Sequence, residues 1–198
     1  MKRALPSRLV IATHNEGKLH EFAELLKSYI PDIVSVGSLG LPSPEETGTT
    51  FTENALLKAK AAALATNTLA LSDDSGLCVS ALHGQPGIHS ARWAEPAKDF
   101  GRAMQRIQTE LGDAKDRSAY FICVLALYWP DGHFETIEGR INGIIAPQPR
   151  GSFGHGYDPL FIPNGYDKTF AEMSDGEKNT ISHRALATSA LIQRFCAP

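Results

Sequence analysis

Short apolar runs alternate with amphipathic stretches along the first part of the chain. Residues 9–12 are apolar and rich in branched side chains, which favours a buried strand. The stretch that follows repeats apolar residues at the spacing of one helix face, and Asn15 stands at its N-cap position. Residues 33–36 form a second apolar run. This pattern predicts a strand, a tight loop, a helix and a second strand.

A second helix is indicated from Thr50 onward. Thr50 and Glu53 have the spacing of a capping box, and a stripe of alanines continues the helical period to about Ala65. Residues 69–71 then form a short apolar run that leads directly into two adjacent aspartates. We therefore expect these aspartates in a turn at the end of a strand.

The second half of the chain predicts a helix, a long hairpin and a final helix. An amphipathic helix ends before Gly112, a residue type favoured where the backbone is left-handed. Residues 120–129 form the longest strand candidate. Residues 130–132 have the composition of a turn, which would connect this strand to a partner strand that begins at Phe134. Ser182 is the expected cap of the last helix. Early alternation of helices and strands followed by a hairpin predicts an α/β protein with a mixed sheet.

Composition limits the classes of protein to consider. A chain of 198 residues with 42% hydrophobic residues suits one domain or two closely packed lobes. Cys78, Cys123 and Cys196 are distant and lack C-x-x-C spacing, which argues against a zinc site or disulfides and favours a reducing cytoplasm. The first apolar run is too short for a signal peptide or a membrane span. A net charge of −3 argues against binding to nucleic acid.

Basic residues stand at two predicted helix starts. Lys18 falls in the first turn of its helix, and His183 and Arg184 directly follow Ser182. The N-terminus of a helix disfavours a cation but binds anions, so these residues suggest phosphate contacts. The alternative for Lys18, an exposed lysine of small energetic cost, stays open. Neither loop matches the P-loop pattern, which disfavours a P-loop nucleotidase.

Two pairs of adjacent carboxylates, Glu45-Glu46 and Asp73-Asp74, lie in predicted turn regions. Adjacent carboxylates repel each other unless a cation or a shared proton relieves them, and magnesium bound to phosphate oxygens is such a cation. A metal site is one interpretation. The other is that Asp73 caps a turn while Asp74 faces water.

A glycine-rich loop covers residues 151–159. Its glycines allow close approach of a ligand, Tyr157 offers a ring that could stack on a base, and Asp158 offers a carboxylate. The same residues also suit an ordinary turn with a buried tyrosine. The histidines near these loops do not form a zinc-binding pattern, and no nucleophile elbow is present.

Six segments in this order resemble the non-standard purine nucleoside triphosphate pyrophosphatase family, the Ham1-like or inosine triphosphatase family, in its bacterial form. They are THNEGK at 13–18, EETG at 45–48 with ENA at 53–55, DDSGL at 73–77, GQPGIHSARW at 84–93, GYDPLF at 156–161, and EKN at 177–179 with ISHR at 181–184. The resemblance implies one α/β domain over residues 1–198, with an elongated mixed sheet and two lobes around a central cleft. It also implies a homodimer.

The resemblance implies a reaction as well. A nucleoside triphosphate and water would give the monophosphate and pyrophosphate, with Mg²⁺ as the required cofactor. The preferred substrates would be inosine and xanthosine triphosphates and their deoxy forms, so that the enzyme would clean the nucleotide pool. A site built for a 6-oxo acceptor would reject the 6-amino group of adenine, because buried donors would be left without partners.

Residue roles follow from the resemblance by position. Asp74 would be the general base and would hold magnesium with Glu46 or Glu45, with Glu46 favoured. Asp73 would support it. The residues expected to bind substrate are Thr13, His14, Asn15, Glu16, Gly17, Lys18, Ser75, His155, Gly156, Tyr157, Asp158, Lys178, His183 and Arg184.

These substrate-binding residues divide by the part of the nucleotide they would contact. Residues 13–18 would wrap the triphosphate, and residues 155–158 would line the base and sugar pocket with Tyr157 as the stacking candidate. Lys178 would reach the phosphates or the base, and the pair at 183–184 would read the purine.

Two positions depart from the family pattern. His14 stands where glycine is common, and His155 stands where phenylalanine is frequent. Both would touch the substrate pocket, where they could change the ranking of substrates or the pH dependence. Two other functions are compatible with the same residues: a nucleotide sensor without catalysis, and a nucleotide phosphatase that releases orthophosphate.

Overall fold

The computed structural model describes Arg3 and residues 6–195, and the chain forms two compact units. Unit 1 comprises the chain up to Asp74, Cys123–Gly139 and the chain from Ala185. Unit 2 comprises Ser75–Ile122 and Arg140–Arg184. Cys196 lies outside the described residues, and Cys78 and Cys123 are buried and are not joined by a disulfide. The cleft between two lobes stays a prediction.

Within the described residues, six strands form one sheet in the order β2-β1-β3-β4-β5-β6. The strands are β1 (Arg8–Ile11), β2 (Asp32–Ser35), β3 (Ala70–Val79), β4 (Ser118–Tyr128), β5 (Phe134–Ile145) and β6 (Phe161–Pro163). β1 pairs in parallel with β2 and β3, whereas β5 and β6 are antiparallel. The sheet is therefore mixed, and the predicted α/β class is confirmed.

Five α-helices occur in the described part of the chain, and local capping explains where the first two begin. They are α1 (Glu16–Leu26), α2 (Phe51–Thr66), α3 (Phe100–Leu111), α4 (Asp175–Ile181) and α5 (His183–Phe195). The side chain of Asn15 accepts a hydrogen bond from the backbone N–H of Lys18 at 3.1 Å. Thr50 and Glu53 form the predicted capping box. Both predicted starts are confirmed.

Helix α4 is absent from the sequence-based prediction. Seven residues are too few to show a repeating apolar stripe, although Ser174 and Glu177 form a capping box at its start. Ser182 separates α4 from α5, so the predicted start of the last helix is confirmed. Within residues 6–195, no helix has the length and apolar character needed to cross a membrane.

Each unit has its own apolar core. In unit 1, buried side chains of β1, β3, β4, α1 and α5 pack together. The largest of these are Leu9, Ile11, Phe22, Leu26, Leu71, Leu125, Leu127 and Leu191. In unit 2, the core gathers residues of α3 with the aromatic side chains of Phe121, Tyr157, Phe161 and Phe170. These cores fix the elements that carry the polar side chains described below.

Strand β3 corrects the prediction for the acidic pair. Asp73 and Asp74 lie within a continuous strand of ten residues and not in a turn. The polar run from Ser72 to Ser75 has the composition of a turn, but its side chains find partners inside the fold. Ser72 Oγ donates to the backbone carbonyl of Ala55 in α2, for example. A buried strand tolerates polar residues when their hydrogen bonds are made.

The capping box of α2 gives a first test. Thr50→Ala removes the oxygen that accepts the N–H of Glu53, so we expect a loss of about 1 kcal/mol in the free energy of unfolding. Urea denaturation followed by circular dichroism measures it. Thr52→Ala is the control, because Thr52 is exposed within the same helix and makes no cap. An equal loss in both variants would contradict the capping role.

Candidate active site

The acidic pair of β3 lies inside unit 1. Asp73 is 2% exposed and Asp74 is 6% exposed. Burial of a carboxylate is costly unless a cation or hydrogen bonds compensate the charge. The partners of the two aspartates therefore decide what this part of the molecule can do.

Asp73 is paired with a lysine from the start of α1. Lys18 Nζ lies 2.8 Å from Asp73 Oδ2, and the lysine side chain is 20% exposed. The interpretation of Lys18 as an exposed lysine is therefore wrong. The helix start presents its cation to the strand, where the carboxylate offsets the unfavourable interaction with the helix dipole.

Asp74 lies next to a second lysine, which links it to the acidic loop. Lys58 Nζ is 2.5 Å from Glu46 Oε1 and 3.7 Å from Asp74 Oδ1. Glu45, the neighbour of Glu46, is exposed. The structure therefore brings Glu46 and Asp74 to the same cation.

The charges in this cluster shift the protonation of Asp74. The pKa of Asp74 is raised to about 6, because burial and the nearby carboxylate of Glu46 together outweigh the lowering effect of Lys58. Burial lowers the pKa of Lys58, but Asp73, Asp74 and Glu46 together outweigh burial and raise it. Lys58 therefore carries its positive charge while Asp74 becomes a stronger base than an exposed aspartate.

The sequence predicted no role for Lys58 or for Asn54, two residues of α2 in this cluster, although Asn54 belongs to the ENA segment at 53–55. Asn54 Nδ2 donates to Asp74 Oδ2 at 3.2 Å, and both residues are buried. They stand one helical turn apart, next to the alanine stripe on the buried side of the helix. The available signal was that two polar residues border a buried stripe of alanines. It did not reveal their partners, which lie in β3 and in the acidic loop.

The segment before α1 forms a polar concavity. Thr13 Oγ1 accepts the backbone N–H of Asn15 at 3.1 Å, and His14 Nε2 lies 2.9 Å from the carbonyl of Leu41. A cavity of about 450 Å³ is lined by Thr13, His14, Asn15, Glu16, Leu19, Ser35, Gly37 and Ser38. Glu16 and Gly17 are the first residues of α1. Four of the six residues predicted to wrap the triphosphate thus line one cavity at a helix start.

In unit 2, Asp158 organises part of the glycine-rich loop. Asp158 Oδ2 accepts the backbone N–H of His155 at 2.8 Å and lies 2.7 Å from Lys178 Nζ. Asp158 and Lys178 are both buried, and Lys178 belongs to α4. A Cβ on Gly154 would lie 2.2 Å from Asp158 Oδ2, and its φ is +72°, so this position requires glycine. Asp158 and Lys178 form a buried ion pair.

Tyr157 lies within the core of unit 2. It is 3% exposed, its ring meets Phe100 edge-on at 5.3 Å, and its hydroxyl donates to the carbonyl of Ser90 at 2.8 Å. This packing corresponds to the buried tyrosine that the sequence left as an alternative, and it leaves no ring face exposed for stacking on a base. His155 in the same loop is exposed, and Gly156 is half-buried.

The remaining predicted residues of unit 2 are placed by β3, β4 and the start of α5. Ser75 follows Asp74 in β3 and is half-buried. The ring of His183 stacks on Phe121 with centroids 4.8 Å apart, and both His183 and Arg184 are buried. The last helix therefore begins with two basic residues inside unit 2.

Comparison with known proteins identifies the family. The sequence model of the Ham1 family matches residues 9–194. The chain belongs to the Ham1 family. It is 53% identical to the dITP/XTP pyrophosphatase of Rhodospirillum centenum, over 99% of this chain and 98% of that protein. It is 50% identical to the protein of the same name from Gluconobacter oxydans, over 97% of this chain and 93% of that protein.

Solved Ham1 structures have the same fold. The Ham1 protein of Coxiella burnetii superposes with a TM-score of 0.87 at 40% identity, over 94% of this chain and 96% of that chain. The Ham1 protein of Staphylococcus aureus gives a TM-score of 0.85 at 40% identity, over 93% and 95% of the two chains. The predicted Ham1-like family and its α/β fold are confirmed.

The donor set of this Ham1-family chain suits a magnesium ion. Among the residues that the structure describes, no three His, Cys, Asp or Glu side chains surround a common metal position. Magnesium does not need such a set, because one or two carboxylates together with substrate phosphates and water commonly hold it. Glu46 and Asp74 supply hard oxygen ligands, and they already share a cation, Lys58. The residues present therefore fit magnesium.

The lysine shared by Glu46 and Asp74 gives a second test. Lys58→Met leaves two carboxylates close together without their cation, so we expect the free energy of unfolding to fall by about 2–3 kcal/mol. This loss is smaller than for a fully buried ion pair, because Glu46 is 30% exposed. Urea denaturation at neutral pH measures the change. Lys60→Met in the same helix is the control, since Lys60 is exposed. Equal stability of the two variants would contradict the role of Lys58 in charge balance.

Proposed function

We propose that this chain is a nucleoside triphosphate pyrophosphatase for non-standard purine nucleotides. Its substrates are inosine and xanthosine triphosphates and their deoxy forms, and its products are the monophosphate and pyrophosphate. The names of the relatives in Rhodospirillum centenum and Gluconobacter oxydans support this activity. The observation that carries the proposal is the buried carboxylate of Asp74, placed with Glu46 around one cation.

Magnesium is the proposed cofactor, held by Asp74 and Glu46. When bound, it neutralises charge on the phosphate chain and polarises a phosphoryl oxygen. Glu46 is preferred to Glu45 because Glu46 contacts Lys58, whereas Glu45 is exposed. Lys58 and Lys18 then supply further positive charge to the phosphate region, with Asp73 as the support that holds Lys18.

Asp74 is the proposed general base. Its carboxylate accepts a proton from water while the water oxygen bonds to the α-phosphorus. The bond from that phosphorus to the oxygen bridging to the β-phosphate breaks, and pyrophosphate leaves with the electron pair. Residues 13–18 bind the phosphates through the start of α1, whose backbone N–H groups favour anions. The cavity lined by Thr13, His14 and Asn15 supports this role.

For unit 2 we propose recognition of the nucleoside. His183 and Arg184 offer donors that match the 6-oxo group of inosine and xanthosine and do not match the 6-amino donor of adenine. Lys178, held by Asp158, contacts the base or the phosphates, and Ser75, His155 and Gly156 line the pocket. Tyr157 supports the loop from within the core, because its ring is buried.

The proposed enzyme is a cytoplasmic homodimer that binds neither nucleic acid nor membranes. The net charge of −3 supports the absence of a nucleic-acid partner. A sensor without catalysis would not need a base beside a metal ligand. The position of Asp74 and Glu46 next to the same cation, Lys58, therefore favours an enzyme.

The choice of substrate and of the bond that is cleaved can be tested together. Purified protein with Mg²⁺ is expected to release pyrophosphate from inosine triphosphate at least about 100-fold faster than from ATP, because hydrogen-bond donors that match a 6-oxo acceptor do not match the 6-amino donor of adenine. Coupled assays that separate pyrophosphate from orthophosphate measure both rates. Equal rates would refute the purine selectivity. Orthophosphate as the product would show a phosphatase, and binding without turnover would show a sensor.

The role of Asp74 gives a separate test. Asp74→Asn is nearly isosteric but removes the base, so we expect turnover to fall by about 100-fold to 10,000-fold. Steady-state kinetics measure the loss, and circular dichroism checks that the fold is kept. Asp113→Asn, at an exposed aspartate of unit 2, is the control and is expected to retain activity. Near-full activity of Asp74→Asn would remove Asp74 from this role.

A further inference from the structure

Asn54 joins the two parts of the acidic site in unit 1. Its side chain is buried in α2, and its Nδ2 donates to Asp74 Oδ2 at 3.2 Å. Its Oδ1 accepts the backbone N–H of Gly48 at 2.9 Å. Gly48 lies two residues after Glu46, so a single amide is bonded both to β3 and to the loop that carries the second carboxylate.

Chemistry fixes which way this amide faces. The backbone N–H of Gly48 can only donate, so the amide oxygen of Asn54 must face the loop. The NH₂ group must then face Asp74, whose carboxylate can accept its proton. A Cβ at position 48 would lie 2.6 Å from Asn54 Oδ1, so glycine allows the loop to approach this closely. The hydrogen-bond pattern therefore has one direction, from the loop through the amide to the aspartate.

The amide makes the two oxygens of Asp74 different. Asp74 Oδ2 receives the hydrogen bond from Asn54, while Oδ1 is the oxygen next to Lys58. Lys58 in turn contacts Glu46. The oxygen that Asn54 does not hold is thus the one directed to the Glu46 side of the cluster.

We propose that Asn54 is a positioning residue that presents Oδ1 of Asp74 and the carboxylate of Glu46 to one magnesium ion. It acts through Asp74 and through the loop at Gly48, and it is not assigned a contact with the substrate. The inference rests on the proposed function. Groups that orient metal-binding side chains commonly contribute about 10- to 100-fold to metal affinity or activity.

A purely structural role is the competing explanation, and the chain contains a matched control for it. Ser72 is also buried, and its Oγ donates from β3 to the carbonyl of Ala55, the neighbour of Asn54 in α2. Ser72→Ala removes a buried hydrogen bond between the same two elements without touching Asp74 or the loop. Loosening of α2 against β3 would affect this variant and an Asn54 variant alike.

The experiment compares Asn54→Leu and Ser72→Ala with the unaltered protein. Leucine removes both hydrogen bonds of Asn54 at similar volume and adds no charge. Each protein is titrated with Mg²⁺ during turnover of inosine triphosphate, and Mg²⁺ binding to the nucleotide-free protein is measured by calorimetry. Thermal unfolding reports the stability of each variant.

Asn54→Leu is expected to need about 10- to 100-fold more Mg²⁺ for half-saturation and to bind it correspondingly less tightly. Its kcat should fall while KM for the nucleotide at saturating Mg²⁺ stays within about twofold. Ser72→Ala should unfold at a lower temperature but keep the Mg²⁺ requirement of the unaltered protein.

Two results would overturn the positioning role. One is an unchanged Mg²⁺ requirement in Asn54→Leu, which would limit Asn54 to a structural role. The other is an equal rise in Asn54→Leu and Ser72→Ala, which would make the effect a general loosening of α2 against β3. Failure of the proposed function is recognised separately, because the unaltered protein itself would then release no pyrophosphate.

Discussion

Charge balance along β3 is the constraint on which the rest of the candidate site depends. Asp73 and Asp74 are adjacent and buried, and successive side chains of a strand point to opposite faces. Helix α1 supplies Lys18 to Asp73, and α2 supplies Lys58 to the side of Asp74. Both aspartates, together with Glu46, also keep Lys58 charged in spite of its burial. Each helix thus contributes one cation to the buried acidic pair.

Rules that act over a few residues were enough to predict much of unit 1. Asn15 and Thr50 mark the starts of α1 and α2 because capping depends on neighbours within one helical turn. The acidic pair was misplaced because its composition resembles a turn, and only contacts with distant residues allow it to lie in a strand. Lys58 was missed for the same reason, since its partner in the loop lies twelve residues away.

In unit 2, the sequence indicated which residues matter, but not which side chains contact them. Glycines near position 154 indicated close approach of a group, and the group found there is the carboxylate of Asp158. The burial of Tyr157 depends on Phe100 and Ser90, which are far from it in the chain, so sequence alone left two interpretations open. The order of motifs identified the family, but it did not reveal which side chains hold each other in place.

Burial of β3 also has a consequence for ligand binding. Asp74 belongs to a strand whose residues in unit 1 are all buried, and its hydrogen-bond and ionic partners come from the same unit. Segments of this kind open only with their whole cooperative unit, so their amide hydrogens exchange slowly. A carboxylate on such a segment loses little conformational entropy when a ligand binds. More of the intrinsic interaction energy then remains available as affinity.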